Sequence, residues 1–327
     1  MAHNLATTNG RTAMMYTGEV PWHKLGTRLE NPATAREAIT AAGLDYRADL
    51  KDMQTGDGSP VPKRKAVVRS DTGDVLGVVG NSYVPVQNYQ AFGFLDAIVA
   101  DGGLRYHTAG ALGKGERIWM LAKLPNHIQV KGTDDLVEKF LLLSNTHDGT
   151  AALRVFFTPI RVVCQNTLNF ALNQGRSQGI SIFHRGDLAT KIQEAQRVLG
   201  LAERFYDDAE AKIEILANHY PTPEQLLEYF LSLYPDPEGA RNTRARNVRE
   251  TLTRIFETGI GLDMPGIQGT SWAAFNAVTE FVDHHRPTRA TNPTARAGKR
   301  LNSAWFGSGA KLKAKAWDRA LLMATAT

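Results

Sequence analysis

The apolar positions change period near residue 187. Before it they fall in short runs bounded by turn formers; after it they recur every three or four residues. Ala66-Val67-Val68-Arg69 and Val75-Leu76-Gly77-Val78-Val79 flank Ser70-Asp71-Thr72-Gly73-Asp74, which predicts a β-hairpin about a glycine-containing turn. Phe92, Leu95, Ile98 and Val99 predict a helix over 88–99. Leu104 to Ala109 and Ile118 to Leu124 predict a second hairpin, with Gly110, Gly113, Lys114 and Gly115 between its arms. Strands are expected over 136–145, 152–157 and 180–184, and a helix over 162–172 behind Pro159. The first 60 residues read as irregular except for a short helix over 31–43. Pro32 opens it, and Ala35, Ala38, Ile39 and Ala42 share one face.

Downstream, Ile192, Ala195, Val198, Leu199, Ala202, Phe205, Ala209, Ile213 and Leu216 form the stripe of a long amphipathic helix. Further helices are expected over 223–234, 243–257, 271–285 and 310–325, with linkers at 235–239 and 286–298. Strands followed by helices predict an α+β fold: a strand-rich antiparallel N-terminal core, then a helical C-terminal region. The expected organisation is an irregular extension (1–60), an α+β core (61–187), a helical region (188–285) and a basic C-terminal segment with a final helix (286–327).

Composition narrows the class. The chain has 327 residues, 43% hydrophobic and 22% charged, the profile of an ordinary globular protein. No apolar stretch approaches the roughly 20 residues of a membrane span. Residues 1–10 lack the basic start and apolar run of a secretory signal. The expectation is a cytoplasmic protein with no membrane partner. One cysteine, Cys164, excludes an intramolecular disulfide and a multi-cysteine metal site, and reads as a small buried hydrophobe. The net charge of +5 is unevenly spread. Residues 286–319 hold nine basic side chains against one acid, Asp318, a net of +8, which leaves −3 for the rest.

Motifs for catalysis are weak. Gly113-Lys114-Gly115 lacks phosphate-loop spacing, because position 108 is threonine and glycine follows the lysine. Thr72 to Gly80 lacks the dinucleotide fingerprint. His284 and His285 are adjacent, so on a helix they point about 100° apart and share one metal poorly. They read as a solvated helix end, although with Asp283 they could join a site assembled from distant residues. Asp148, His184 and Asp283 are the candidates for acid–base work, with no diagnostic spacing. His147-Asp148 reads as a turn. No catalytic set, cofactor or metal site is predicted, and an enzyme is the less favoured class.

Residues suited to polyanions are more numerous. Arg154 and Arg161 bracket an expected strand end and helix start among Phe156, Phe157, Gln165 and Asn166. His184 and Arg185 precede Asp187, a suitable N-cap, and so stand where helix dipoles favour anions; Lys191 follows. Toward the C-terminus, Trp305, Phe306 and Trp317 interleave with Lys311, Lys313, Lys315 and Arg319, and Lys299 and Arg300 precede them in the same basic segment. Cations neutralise phosphates and flat rings stack on single-stranded bases. The competing reading packs the aromatics inward and turns the lysines outward. The candidate nucleic-acid contacts are therefore Arg154, Arg161, His184, Arg185, Lys191, Lys299, Arg300, Lys311, Lys313 and Lys315.

Several long motifs carry a family resemblance: Val20 to Gly26, Val79 to Asn88, Arg161 to Leu168, Ile180 to Arg185, Gly269 to His284 and Ser303 to Lys313. Together they resemble the phage/plasmid-like protein family, built around a domain of unknown function. The resemblance spans nearly the whole chain. It implies a mobile-element origin in a bacterial host and supplies no activity or catalytic residues. The strand–strand–helix order over 65–125 with a basic helical extension also resembles phage single-strand annealing proteins, at the level of fold alone. That implies single-stranded DNA as partner and a homo-oligomer. The expectation is a phage-encoded protein that binds single-stranded DNA or anneals it in recombination. The alternative is an accessory or host-defence-inhibiting protein with a host or phage protein partner and no DNA binding.

Overall fold

The structure is a computed structural model. It describes residues 5–8, 11–18, 26–30, 34–99, 104–151, 153–161, 166–167, 180–181, 188–236, 243–288 and 293–326. Thr7–Thr8 (β1) pairs with Arg11–Thr12 (β2), and Met14–Thr17 (β3) and Thr27–Leu29 (β4) follow. Helix Ala35–Ala41 (α1) starts at a capping box in which Thr34 and Glu37 satisfy each other's backbone N–H groups. Ala48–Gln54 (β5), Pro60–Arg69 (β6) and Val75–Gly80 (β7) make a three-stranded antiparallel sheet, and Asn88–Val99 (α2) comes next. Arg105–Leu112 (β8), Arg117–Gln129 (β9), Leu136–Thr146 (β10), Arg154–Phe157 (β11), Ile160–Arg161 (β12), Asn166–Thr167 (β13) and Ile180–Ser181 (β14) join β3 and β4 in a nine-stranded sheet. Its order is β13-β12-β10-β9-β8-β3-β4, with β11 on β10 and β14 on β11. The helices Leu188–Asn218 (α3), Pro223–Leu233 (α4), Thr243–Thr258 (α5), Ser271–Glu280 (α6), Pro293–Phe306 (α7) and Ser308–Thr325 (α8) complete the chain. The fold is α+β, with the strands first and the long helices after them.

The central strands explain the architecture. Side chains alternate across a strand, and here both faces are covered. Ile118, Met120 and Ala122 of β9 join Val137, Leu141 and Leu143 of β10 in the core shared with α1, α2, α3, α6 and α8. Trp119 and Leu121 of β9, with Phe140 and Leu142 of β10, face the other way and pack against Leu301, Ala304 and Trp305 of α7. The sheet is therefore sandwiched between helices. That is why Ile118 to Ala122 and Phe140 to Leu143 read as unbroken apolar runs.

Helix α7 overturns the expected linker over 286–298. It begins at Pro293, a residue favoured in the first helical turn. Its apolar face becomes meaningful only when the outer face of the sheet needs cover. Residues 48–54, expected to be irregular, form β5. Asp49, Lys51 and Asp52 interrupt its apolar pattern because it is an edge strand with one exposed side. The helix expected over 162–172 is corrected at Asn166–Thr167, which is a strand paired with Ile160–Arg161. The ladder supplies hydrogen bonds that a local helical pattern cannot outcompete. The remainder of that expected helix, Cys164 included, lies outside the described residues, as does 182–184 of the expected strand.

A buried polar joint fastens the small sheet to the large one. The His147 backbone N–H donates to the Glu116 carbonyl (2.7 Å), and its Nε2 lies 2.8 Å from Asn88 Oδ1. Asn88 Nδ2 in turn donates to the carbonyls of Leu44 (2.8 Å) and Tyr46 (3.3 Å). The Tyr46 hydroxyl donates to Gly115 O at 2.7 Å, and the Arg69 guanidinium stacks 4.0 Å over the Tyr46 ring. Because Asn88 Oδ1 can only accept, the neutral His147 ring carries its proton on Nε2. Gly77 is required nearby: a Cβ there would sit 2.5 Å from Asp148 Cα.

Burial pushes the His147 imidazole down to about 4, against the weaker opposing pull of Asp148. The unfolded chain therefore takes up this proton near pH 6.5, while the folded chain refuses it until about pH 4. Stability from this group is complete above pH 6.5 and falls by up to about 3 kcal/mol as the pH drops to 4. Urea titrations across that window should show a shallower pH dependence for His147→Gln than for the wild type. Parallel curves would refute the role of His147.

Candidate nucleic-acid interface

Among the described residues the expected contacts are spread over several elements. Arg154 lies on β11 opposite Ser144, and Arg161 on β12 opposite Val137. Those partners are seven residues apart on β10, about 23 Å at strand rise. Strand β10 draws out in one line what the sequence suggested was a compact strand end and helix start. His184 and Arg185 lie outside the described residues. Lys191 is on α3.

On α8 the helical period separates the three lysines. Residues 311 and 315 share a face, while 313 points about 200° away. Lys311 is exposed. Lys315 is exposed and its Nζ donates to Ser232 O at 2.6 Å. Lys313 has no exposed surface, and its Nζ lies 2.8 Å from Asp283 Oδ1. Burial pushes its ammonium below the usual lysine range, and Asp283 partly restores it. The expectation that Lys313 faces a polyanion is therefore corrected: it is a core ion-pair partner. The ring-stacking expectation is corrected in the same way. Trp305 is 9% exposed and meets Trp119 edge-on at 4.8 Å; Trp317 is 2% exposed and meets Phe275 at 5.2 Å. These rings are packing surface. Phe306 is half-buried beneath the Arg117 guanidinium, 4.9 Å from its ring centre.

A different cation cluster surrounds the end of α6. After Glu280 the helix widens into a π turn, Phe281–His285, closed by Arg286 N–H to Phe281 O at 2.6 Å. Such turns re-phase the side chains that follow them. Phe281, Val282 and Asp283 remain buried, while His285 and Arg286 emerge. Arg286 Nη1 reaches Ser308 Oγ at 3.3 Å, and Arg300 Nη2 reaches the Arg286 carbonyl at 3.4 Å. Burial holds the Arg300 guanidinium below its ordinary range; the Arg296 charge adds to this, and Asp283 opposes it. Arg286 and Arg244 also bear on the Tyr234 hydroxyl, whose pKa burial raises and these two charges lower.

The neighbouring carboxylates are committed elsewhere. Asp283 holds Lys313. Glu280 is buried and accepts from Ile260 N–H (2.9 Å), with His285 Nε2 at 3.2 Å. Asp236 is gripped by Arg249 at 2.9 Å. Among the described residues Arg286 and Arg296 make no ion pair. The result is a basic surface in which like charges crowd together.

Acid–base candidates fare differently. Asp148 Oδ1 caps its own turn by accepting from Thr150 N–H (2.9 Å) and Oγ1 (2.6 Å). Among the described residues no group of three His, Cys, Asp or Glu side chains has a metal-binding arrangement.

The family model described as "Domain of unknown function (DUF932)" matches residues 75–305. The chain belongs to this family. The DUF932 match begins at β7 and ends within α7, so it includes Asp283, Arg286, Arg296 and Arg300 and leaves α8 outside. A curated relative, "UPF0380 protein YafZ" of Escherichia coli (strain K12), is 29% identical over 140 residues, 42% of this chain and 44% of that protein. The chain thus matches less than half the length of that relative. No solved structure matches the chain. No helix among the described residues is long and apolar enough to cross a membrane.

Arg286 and Arg296 were visible in the sequence as members of the basic segment. Arg244, Tyr234 and Ser308 gave no signal, because only tertiary packing brings α5 and the start of α8 to the π turn. The buried pair beneath the cluster has a testable cost. Asp283→Ala leaves Lys313 uncompensated and should cost about 3–5 kcal/mol in chemical denaturation. Asp283→Leu combined with Lys313→Met should cost clearly less. Equal losses would show that the charge pair is not the source.

Proposed function

We propose that this protein binds nucleic acid, with single-stranded DNA as the favoured form, through the basic surface at the π turn. The observation that carries this reading is the convergence of Arg286, Arg296 and Arg300 at a place where the nearby carboxylates are already engaged. Guanidinium groups bind phosphate in two-pronged fashion, and a polyanion offsets the repulsion between the neighbouring Arg296 and Arg300 charges. Lys299 on the same helix and the exposed Lys311 extend the positive field. Trp305 and Trp317 are buried, so affinity in this reading comes from phosphates, with little base stacking. A flexible strand can fold several phosphates onto a compact cluster. A stiff duplex presents fewer to it. Annealing during recombination, in a phage or plasmid setting within bacterial cytoplasm, is the cellular role this reading favours.

A second reading, a protein that docks another protein, has its own observation. An open groove of about 590 Å³ lies between the β9–β10 turn, α3 and the segment before α6. It is floored by Ile128, Val130, Ile213 and Met264 and edged by Asp134 and Glu210. A nuclease-treated pulldown that gains a defined partner and loses it on Glu210→Lys, a change at an exposed residue of the groove, would favour this reading.

Fluorescence anisotropy with single- and double-stranded DNA at two salt concentrations tests the first. Arg286→Gln with Arg296→Gln should weaken binding at least about tenfold and reduce the salt slope by about 1.5, as two lost phosphate contacts require. Binding absent in the wild type, or unchanged in the double variant, would overturn the assignment.

A further inference from the structure

Tyr234, just past the end of α4, is held firmly on two sides. Its carbonyl accepts from Arg249 Nη1 at 2.6 Å, and Arg249 Nη2 reaches Asp236 at 2.9 Å. Its ring meets Phe281 edge-on, with centroids 6.2 Å apart. Phe281 opens the π turn, and its carbonyl accepts the Arg286 N–H at 2.6 Å. Tyr234 is thus linked to Arg286 through Phe281.

The Tyr234 hydroxyl is a different matter. The hydroxyls of Tyr46, Tyr83, Tyr106, Tyr206 and Tyr229 each donate to a protein oxygen, as rings that are largely buried usually do. Among the described residues nothing hydrogen-bonds the Tyr234 hydroxyl, and its oxygen is not buried. Arg286 and Arg244 both act on it electrostatically. A guanidinium has no acceptor, so neither can take the phenol proton. The carboxylates on the two adjoining elements are turned to other cations: Asp236 to Arg249, and Glu250 of α5 to Arg246. A rigid donor between two cations is matched by an anionic oxygen from outside the chain.

We infer that Tyr234 is a phosphate-binding residue, its hydroxyl donating to a phosphate oxygen held between the Arg286 and Arg244 guanidinium groups. This inference rests on the reading of the π-turn surface as a nucleic-acid site, and it gives that site a second flank. Helices α5 and α7 both pack on the π turn. Arg296 and Arg300 come from α7 and Arg244 from the first turn of α5, with Arg286 at the turn itself. A bound strand therefore runs from α7 across the π turn to the start of α5, and Tyr234 supplies the one neutral donor on that path named here. Its ring is already fixed by Phe281, so little side-chain freedom is lost on binding.

The test is a salt series of fluorescence-anisotropy titrations on the full chain with a short labelled single-stranded oligonucleotide. Tyr234→Phe keeps the ring against Phe281 and removes the donor. Its affinity should fall about fivefold with the salt slope unchanged, because a neutral group releases no counterion. Arg244→Gln should weaken binding and also lower the slope by about 0.7, as one lost phosphate contact on a single strand requires. Both variants should melt at the wild-type temperature. If Arg286→Gln with Arg296→Gln weakens binding while either Tyr234→Phe or Arg244→Gln binds like the wild type, the inference fails and the π-turn reading stands. A Tyr234→Phe loss that comes with a lowered melting temperature also counts against the hydroxyl–phosphate bond. A wild type that binds no strand removes both.

Discussion

Two strands with apolar side chains on both faces set the terms for everything else in this protein. A helical layer on one side of β9 and β10 would bury Met120, Leu141 and Leu143 but leave Trp119, Leu121, Phe140 and Leu142 in water. Burying side chains of that size is worth roughly 1.5–3 kcal/mol each. The chain therefore sends α7 to the outer face, where Trp305 meets Trp119. Docking α7 also fixes the cations it carries, and so places Arg296 and Arg300 near the exit of α6. The packing of the sheet and the position of the candidate site are one problem with one solution.

The π turn at the end of α6 solves a second problem at the same place. The α6 helix is buried throughout, so whatever follows must both stay in the core and reach the surface. One widened turn lets Asp283 point inward to Lys313 while Arg286 points outward. A buried ion pair adds little net stability compared with a well-packed apolar pair, because both ions lose their water. What the Asp283–Lys313 pair does contribute is orientation. It ties α8 to the π turn at one point, and Ser308 at the start of α8 consequently meets Arg286. Positioning in this protein is thus carried by polar contacts inside an apolar frame. The His147–Asn88–Tyr46 joint does the same between the two sheets.

The outline of the fold was legible in the chain. The hairpin around Gly73, the long helix through α3 and the succession of strands then helices follow from period and turn chemistry. The misses have physical causes. Strand β5 hid behind the charges that suit an exposed edge. Helix α7 hid because its partner face belongs to strands some 160 to 180 residues earlier. Local pattern cannot report such contacts. In the candidate site, Arg300 was legible as a cation but Lys313 was misread. A run of alternating lysines looks uniformly solvated until the helix period turns one of them inward.

Alone, the sequence determined which segments could be strands or helices and where positive charge accumulates. Both depend on neighbours within a few residues or on simple counting. Tertiary structure alone decided which cations meet, which of them are neutralised and which aromatic rings remain available. Those outcomes depend on distances between segments that are far apart in the chain, and close packing of the core sets those distances.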